Sequence, residues 1–513
     1  MSALDALGLR LYGSAMPRRR PRSRRAVSLG LLAAAAAAPL LVACSRGAAE
    51  APETRVRIDG SLSEWPAEAS LLADDRNLYF RLRLPEEVTL QGAPYTVALL
   101  VDADGDAATG GGLETVDGLA HDGAELAIEF SPPKGASAEG ERAPGVAALL
   151  LTAPGGGKRP RRIAHDALDL VFSPTHSAKE FEGRIARRTG EPELAAALVD
   201  GSVRARVAAF GTDGRLLWSS PPATVELPPL GEEAPLRASI PPRRADAVRV
   251  VSWNVLFASP KRKPEPFSRI LRALDPEVAL VQEWEKASAD DLATWFDEHV
   301  SKGWHAITSA GWGVAVIARG GVRRVGPERL ERPREAPADT FRPDAFVRLA
   351  AAIVETRLGP LVAGSMHLKC CGAAGGREDR ARIAEIETIH RALTDALGAS
   401  APALRVFGGD LNLVGSGTPL ENLRRGLASG GGDLAIADTA PLGDVAYYTW
   451  RGARSPFTPG RLDFLIYGGG EPAAAFALDT RRLDEDALAA ARLDANDSSA
   501  SDHLVLVLDL VPR

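Results

Sequence analysis

Cysteine, methionine and aromatic residues are scarce in this 513-residue sequence: three Cys, three Met and an aromatic share of 5%. Cysteines at 44, 370 and 371 only exclude a disulfide framework. Cys370 and Cys371 are neighbours whose Cα atoms are close enough to bond, though with strain, so two free thiols in a loop is the favoured reading and a redox pair the lesser one. An excess of positive charge is missing too. Lys and Arg number 61 against 67 Asp and Glu, a formal net charge of −6, and no long basic stripe interleaves with aromatics. That balance argues against a dedicated nucleic-acid binder and leaves polyanions open as substrates. No internal repeat is visible. One apolar run stands out, Ala26 to Ala43, but it is short, Ala-rich and broken by Pro39, a poor membrane span.

What is present is length enough for several cores and a composition that reads as globular, 45% hydrophobic and 25% charged. The apolar run follows the arginine-dense stretch Arg18 to Arg25 and meets Cys44, the order of an export signal over residues 1–43. "LVAC", Leu41 to Cys44, resembles the lipobox of bacterial lipoproteins. The resemblance implies lipidation at Cys44 and an exported protein anchored to a membrane, periplasmic or at the cell surface. An uncleaved anchor leads to nearly the same address.

From 51 to 227 the sequence is cut by Gly, Pro and Asp into short alternating runs, among them "NLYFRLRL" (Asn77 to Leu84), "GAELAIEF" (Gly123 to Phe130) and "VRARVAAF" (Val203 to Phe210). Period-2 runs without long amphipathic helices predict an all-β sandwich. "IDGSLSEWP" (Ile58 to Pro66) and "DADGDAATGG" (Asp102 to Gly111) resemble family-9-like carbohydrate-binding modules, yet Trp65, Trp218 and a few Tyr and Phe are a thin supply for a sugar platform. Asp102, Asp104 and Asp106 alternate as ligands of a calcium loop would, without the glycine and glutamate of an EF-hand; acidic turn and calcium loop stay equally open. A Pro- and charge-rich linker spans 228–247. Beyond it, over 248–513, strand-like runs alternate with helical ones such as Phe267, Ile270, Leu271 and Leu274, predicting a layered α/β domain.

Four strand-like runs of that second part end on polar groups: "VRVVSWN" at Asn254, "VALVQE" at Glu283, "LVAGSMH" at His367, and "LRVFGGDLN" at Asp410 and Asn412. Two later ones begin on them, "RLDFLIY" at Asp463 and "SDHLVLVLDL" at Asp502 and His503. If the last two run opposite to the first four, all these groups share one rim. Singly, each reads as a strand cap, a turn or a solvated charge.

Taken in order, "SWN", "QE", the strand-terminal His, "GGDLN", "LDF" and "SDH" resemble the endonuclease/exonuclease/phosphatase family, whose members include deoxyribonucleases, abasic-site endonucleases, sphingomyelinases and inositol-polyphosphate phosphatases. The resemblance implies a four-layer sandwich of two β-sheets flanked by helices and a metal-dependent phosphoric ester hydrolase. By it, Asn254, Glu283 and Asp502 are metal ligands for Mg²⁺, with Mn²⁺ as second choice. His367, Asp410, Asn412, Asp463 and His503 are catalytic: Asp410 handles the water, Asn412 and His503 the phosphate, and Asp463 fixes His503. Nuclease, phospholipid phosphodiesterase and phosphatase remain alternatives. The rival from another class is a surface lipoprotein whose sandwich binds a glycan beside a non-catalytic second domain. Two departures bear on substrate: Trp312, where relatives carry a small polar residue, and the arginine-rich stretch Arg323 to Arg348, read mostly as a solvated face.

Overall fold

The computed structural model describes residues 56–513 apart from 112, 114–122, 135–140, 152–159, 232–237, 310–312, 334–345 and 399. Cys44 and residues 1–43, where an export signal is expected, and Trp312 lie outside the described residues. Residues 54–513 form one compact unit.

Two six-stranded sheets make the C-terminal part. The first runs His305–Thr308, Ala315–Ala318, Val278–Gln282, Val248–Asn254, Val505–Pro512, Gly470–Leu478 in spatial order; the second runs Val322–Arg324, Leu349–Thr356, Gly359–His367, Arg405–Asp410, Asp463–Gly468, Ala435–Ile436. The period of two along each strand divides its side chains between two cores. Val248, Val250, Val278 and Leu280 face Ala350, Ala352, Val406 and Leu465 across the space between the sheets. Their alternates, Val251, Trp253, Ala279 and Val281, turn outward under the helix Pro264–Leu274, whose Phe267, Ile270, Leu271 and Leu274 cover them. On the far side Val362, Met366 and Phe407 meet Ile386, Ile389 and Leu393 of the helix Arg377–Ala396. Helix, sheet, sheet, helix is the four-layer order.

Strand direction decides where the polar ends fall. Val248–Asn254 pairs parallel with Val278–Gln282, placing Asn254 opposite Gln282, and antiparallel with Val505–Pro512. In the second sheet His367 lies opposite Asp410 in a parallel pair, and Asp410 opposite Asp463 in an antiparallel one. Strands that end and strands that begin therefore bring their polar groups to a single edge.

The N-terminal part is a separate β-sandwich. A four-stranded sheet (Leu71–Ala73, Asn77–Val88, Ala178–Ala186, Val171–Ser173) faces a seven-stranded one built around Ser202–Phe210, Thr96–Asp102 and Leu126–Phe130. Leu78, Phe80 and Leu82 fill the space against Val97, Leu99, Ile128 and Val203. Its outer face does not hang free. Tyr79 and Val171 join Ala446 and Tyr448 in the core of the C-terminal part, with Val56, Ile58 and Trp65, and Ile58 bridges to Ala446 through the backbone. Beneath this contact, buried Arg184 reaches Asp169 at 2.8 Å and Asp444 at 3.0 Å, and Arg482 pairs with the same two carboxylates. Trp65 is buried with its indole N–H on Glu182 Oε2 at 2.8 Å, which removes it from any surface platform. The segment after 227 is also engaged: Ala238 bridges to Leu483, and Arg249 Nη2 donates to the Pro241 carbonyl at 2.9 Å.

Candidate active site

Glu283 follows directly on the strand Val278–Gln282 and adopts a left-handed φ of +60°. Leu256, Phe257 and Ala258 are left-handed as well, with φ of 51°, 49° and 53°. Four non-glycine residues in that region are strained, and such strain persists where surrounding contacts over-determine the backbone. Here Phe257 N–H donates to Glu283 Oε2 at 2.9 Å and Ala258 N–H to the Glu283 carbonyl at 2.8 Å. The loop after the first strand thus clasps the Glu283 side chain and aims its other oxygen at the rim.

Asn254 is the hub. Its Nδ2 donates to Glu283 Oε1 and to Asp410 Oδ2, both at 3.1 Å, and lies 3.5 Å from His503 Nε2. Its Oδ1 accepts from Leu256 N–H at 3.1 Å, so the amide as placed holds the two carboxylates together and presents nitrogen, not oxygen, to the space between them. Asn412, also left-handed at φ 47°, donates its backbone N–H to Asp410 Oδ1 at 2.9 Å and its side chain to Asp410 Oδ2 and the Leu368 carbonyl, each at 3.1 Å. Asp410 is therefore fixed by two amides. Burial, with Asp463 beside it, pushes its carboxyl up to about 7 against the opposing pull of His503.

His503 Nδ1 lies 2.8 Å from Asp463 Oδ2, and that oxygen also accepts from Thr449 Oγ1 at 2.6 Å. Burial pulls the imidazole down, but Asp463 and Asp410 overcome it and raise His503 to about 10. It is held as a cation whose Nε2 lies 3.8 Å from Asp410 Oδ2. His367 is the opposite case. Its Nδ1 is 2.9 Å from Arg348 Nη1, and a guanidinium only donates, so Nδ1 is the acceptor and the ring proton sits on Nε2. That Nε2 points at Asp410 Oδ2, 3.4 Å away, with Glu283 Oε1 at 4.0 Å. Burial, then Arg348 and His503, hold His367 well below the ordinary histidine range, hence neutral.

Glu283, His367 and Asp410 offer one ligand atom each within 4.8 Å of one another, and so do Asp410, Asp463 and His503. Hard carboxylate oxygens from Glu283 and Asp410 fit a hard divalent cation, with water completing its shell. Asp502 stands apart from both groups: its Oδ2 accepts the Trp450 indole N–H at 3.0 Å, and its buried Oδ1 has no partner among the described residues. In the N-terminal part Asp102 and Asp104 gather as expected, but Asp106 does not join them. Its Oδ1 caps the Ala108 N–H of its own turn at 2.9 Å, and Glu125 from the neighbouring strand's approach takes the third place. Cys370 and Cys371 are exposed free thiols in the loop after His367. Lys369 Nζ is 3.4 Å from Cys370 Sγ; the Cys371 thiol, with Lys369, lowers Cys370 to about 5.

Three contributors escaped the sequence reading. Arg348 lies in the stretch read as a solvated face, yet also donates Nη2 to the Leu368 carbonyl at 3.0 Å. Thr449 and Trp450 precede the Asp463 strand and carry no motif; they act through partners far away in sequence.

A two-sheet α/β domain with paired carboxylates and histidines on one rim is what fold and site define. Residues 251–503 match the model of the Endonuclease/Exonuclease/phosphatase family. Similar solved structures include an endonuclease/exonuclease/phosphatase from Bacteroides vulgatus (14% identity, 52% of this chain and 99% of that one, TM-score 0.36). An AP endonuclease from Archaeoglobus fulgidus shows 13% identity over 51% of this chain and 98% of its own, TM-score 0.34. Sphingomyelinase C from Streptomyces griseocarneus shows 15% identity over 51% and 99%, TM-score 0.33. No curated protein matches.

Proposed function

We propose that the chain is an exported, lipid-anchored phosphoric ester hydrolase dependent on Mg²⁺, with Mn²⁺ as its substitute. In this reading residues 1–43 are the signal, Cys44 is the lipidated N-terminus, 51–227 form the sandwich, 228–247 the connection and 248–513 the hydrolase domain. The observation that carries the proposal is the convergence on Asn254: one amide nitrogen 3.1 Å from both Glu283 and Asp410, groups that belong to different sheets.

Hydrolysing a phosphate ester requires charge neutralisation at the phosphoryl oxygens, a proton acceptor for water and a proton for the leaving oxygen. Glu283 would hold the cation, with water completing its shell, and the cation when bound would withdraw charge from a phosphoryl or leaving oxygen. Asp410, poised near neutrality, accepts the proton of the attacking water. His503, cationic and fixed by Asp463, donates from Nε2 to a phosphoryl or leaving oxygen. Neutral His367 offers its Nε2–H, and Asn412 keeps Asp410 in place. Two ionisable groups with separated proton affinities are what acid and base roles call for.

The test is hydrolysis of bis(4-nitrophenyl) phosphate, sphingomyelin, plasmid DNA and inositol phosphates by the full chain, with Mg²⁺ and after chelation. Glu283→Gln and His503→Ala should each lose at least about 10² in rate. Undiminished turnover in chelator rejects the metal-dependent reading. Retention in the aqueous phase of a detergent partition, equal for parent and Cys44→Ser, rejects the lipid anchor.

A further inference from the structure

The loop that leaves the rim after His367 carries two groups with no part in the hydrolytic reading, the thiols of Cys370 and Cys371. Both are exposed and free. The backbone beneath them is tied down on its inner side. Lys369 N–H donates to Glu385 Oε2 at 2.7 Å, and buried Arg382 donates Nη1 to the Lys369 carbonyl at 3.0 Å and to the Cys371 carbonyl at 2.6 Å. Ala374 N–H reaches Thr89 Oγ1 of the sandwich at 2.9 Å. Cys371 and Gly372 both take left-handed backbone, with φ of 72° and 78°, and a Cβ at Gly372 would come within 2.8 Å of Glu378 Cβ. Carbonyls held within and sulfurs exposed without leave the thiols as the reactive side of the loop.

The two thiols are not equivalent. Lys369 Nζ lies 3.4 Å from Cys370 Sγ, and the two cysteine side chains share a hydrogen bond. That bond, with Lys369 and Arg348 acting against burial, brings Cys370 down to about 5. The same bond, followed by burial and the charge on Cys370, pushes Cys371 up. The thiolate is the form that attacks sulfur. At neutral pH Cys370 is therefore ionised while Cys371 keeps its proton. The order reverses once Cys370 is bonded to another sulfur, because the anion that held the Cys371 proton is gone and the next residue's sulfur stands beside the new bond.

Adjacency sets the character of any bond between them. Neighbouring Cα atoms are about 3.8 Å apart, short of the roughly 4.4–6.8 Å usual across a disulfide. Such a ring closes with strain, and strained or exposed disulfides are the readily reduced ones, whereas structural disulfides resist reduction. The pair suits reversible exchange rather than bracing of the fold.

We propose that Cys370 and Cys371 form a thiol–disulfide exchange site for low-molecular-weight disulfides, with Cys370 as the attacking thiolate and Cys371 as the resolving thiol. Cys370 Sγ bonds to one sulfur of the external disulfide and expels the other half as a thiolate. Cys371 then attacks Cys370 Sγ, its proton passing to the second departing half, and the Cys370–Cys371 bond closes. Two protein sulfurs are oxidised, one external disulfide is reduced to a thiolate and a thiol, and no other oxidant enters. An excess of low-molecular-weight thiol drives the same steps backward. The site stands on the contacts of this loop and is independent of the phosphoesterase reading.

The experiment uses the full chain carrying Cys44→Ser, so that only this pair can react, reduced, freed of reductant and mixed with oxidised glutathione at neutral pH. Acid-quenched samples are read by peptide mass spectrometry. The expected product is a Cys370–Cys371 disulfide, lighter by the thiol hydrogens, with no glutathione retained, and excess reduced glutathione should reopen it. Adding Cys371→Ser, whose hydroxyl can still donate to Cys370, should stop the reaction at a mixed disulfide on Cys370. Its capture rate should change little from about pH 6 to about pH 8, whereas the Cys370→Ser chain should speed up by more than about tenfold over that range as an ordinary thiol ionises. Absence of reaction in the Cys44→Ser chain, or glutathione retained on it without a Cys370–Cys371 bond, overturns the site. Parallel pH dependence in the two further variants overturns the assignment of attacking and resolving thiols. A closed pair that excess reduced glutathione leaves unchanged overturns the reversible exchange.

Discussion

The Nδ1 atom of His503 lies 2.8 Å from Oδ2 of Asp463, and both side chains are buried. Burial alone would depress the imidazole; Asp463, aided by Asp410, reverses the sign and raises it to about 10. A basic group whose folded value exceeds its unfolded value of 6.5 binds its proton more tightly in the native state. Its contribution to stability is therefore full below 6.5 and is lost as pH rises through about 10. Asp463→Asn should remove that alkaline loss from denaturant unfolding curves and lower turnover by about 10²-fold or more. A parent protein whose unfolding midpoint is flat from 6.5 to about 10 would contradict the pairing.

Asp410 carries a different consequence. Its carboxyl is raised from 3.8 to about 7, first by burial and then by Asp463, so the native state holds a proton that the unfolded chain has already released. The favourable contribution is complete below 3.8 and disappears as pH rises through about 7, leaving a buried charge at neutral pH. Without metal, the parent's thermal midpoint should therefore fall as pH rises from about 4 through about 7. Asp410→Asn removes the charge but turns one of two acceptor oxygens into a donor facing amide N–H groups, so it should abolish both that pH dependence and phosphodiester hydrolysis. A variant whose midpoint still falls over the same range would show that Asp410 is not the group responsible.

Much of this rim was legible because strands announce themselves twice, by apolar runs and by the polar residue at which each run stops. Asn254, Glu283, His367 and Asp410 end four runs, Asp463 begins a fifth and His503 stands just before a sixth; a sheet with the observed directions has no other edge for them. Period-2 alternation likewise separates Val250 from Val251 and so exposes the layer order. Long-range partners are another matter. Arg348 looks like any surface arginine until the strand Leu349–Thr356 pairs with Gly359–His367 and delivers it to His367. Glu125 is one acidic residue among many until Leu126 pairs with Val101 and brings it beside Asp102 and Asp104. Asp106 had the better spacing, but a short side chain in a turn caps its own backbone first.

Arg348 supplies a prediction of its own. One guanidinium donates to His367 Nδ1 at 2.9 Å and to the Leu368 carbonyl at 3.0 Å, holding the ring's proton on the nitrogen that faces Asp410. Lysine lacks the planar fork needed for both contacts. Arg348→Lys should lower kcat by about tenfold or more with KM little changed, because the ring loses the donor that fixes its tautomer while burial keeps it neutral. If kcat matches the parent, Arg348 is no positioning residue.

The buried charges between the two halves of the chain set how they unfold. Arg184, 2% exposed, holds Asp169 and Asp444 at 2.8 and 3.0 Å, while Arg482 covers the same carboxylates from a more open position. Removing one partner from a buried ion pair leaves charge without compensation, a loss of about 3–5 kcal/mol, here toward the lower figure because Arg482 remains. Asp444 precedes Thr449, which donates to Asp463 Oδ2 at 2.6 Å, so this contact lies on the segment that leads to the rim. Arg184→Ala should shift the urea midpoint down by an amount equivalent to about 3 kcal/mol. In the parent, far-ultraviolet dichroism and tryptophan fluorescence should trace one coincident transition, because the buried Arg184 contact to Asp169 and Asp444 couples the two halves. Two separated transitions in the parent, with Arg184→Ala leaving both in place, would show the halves to be thermodynamically independent.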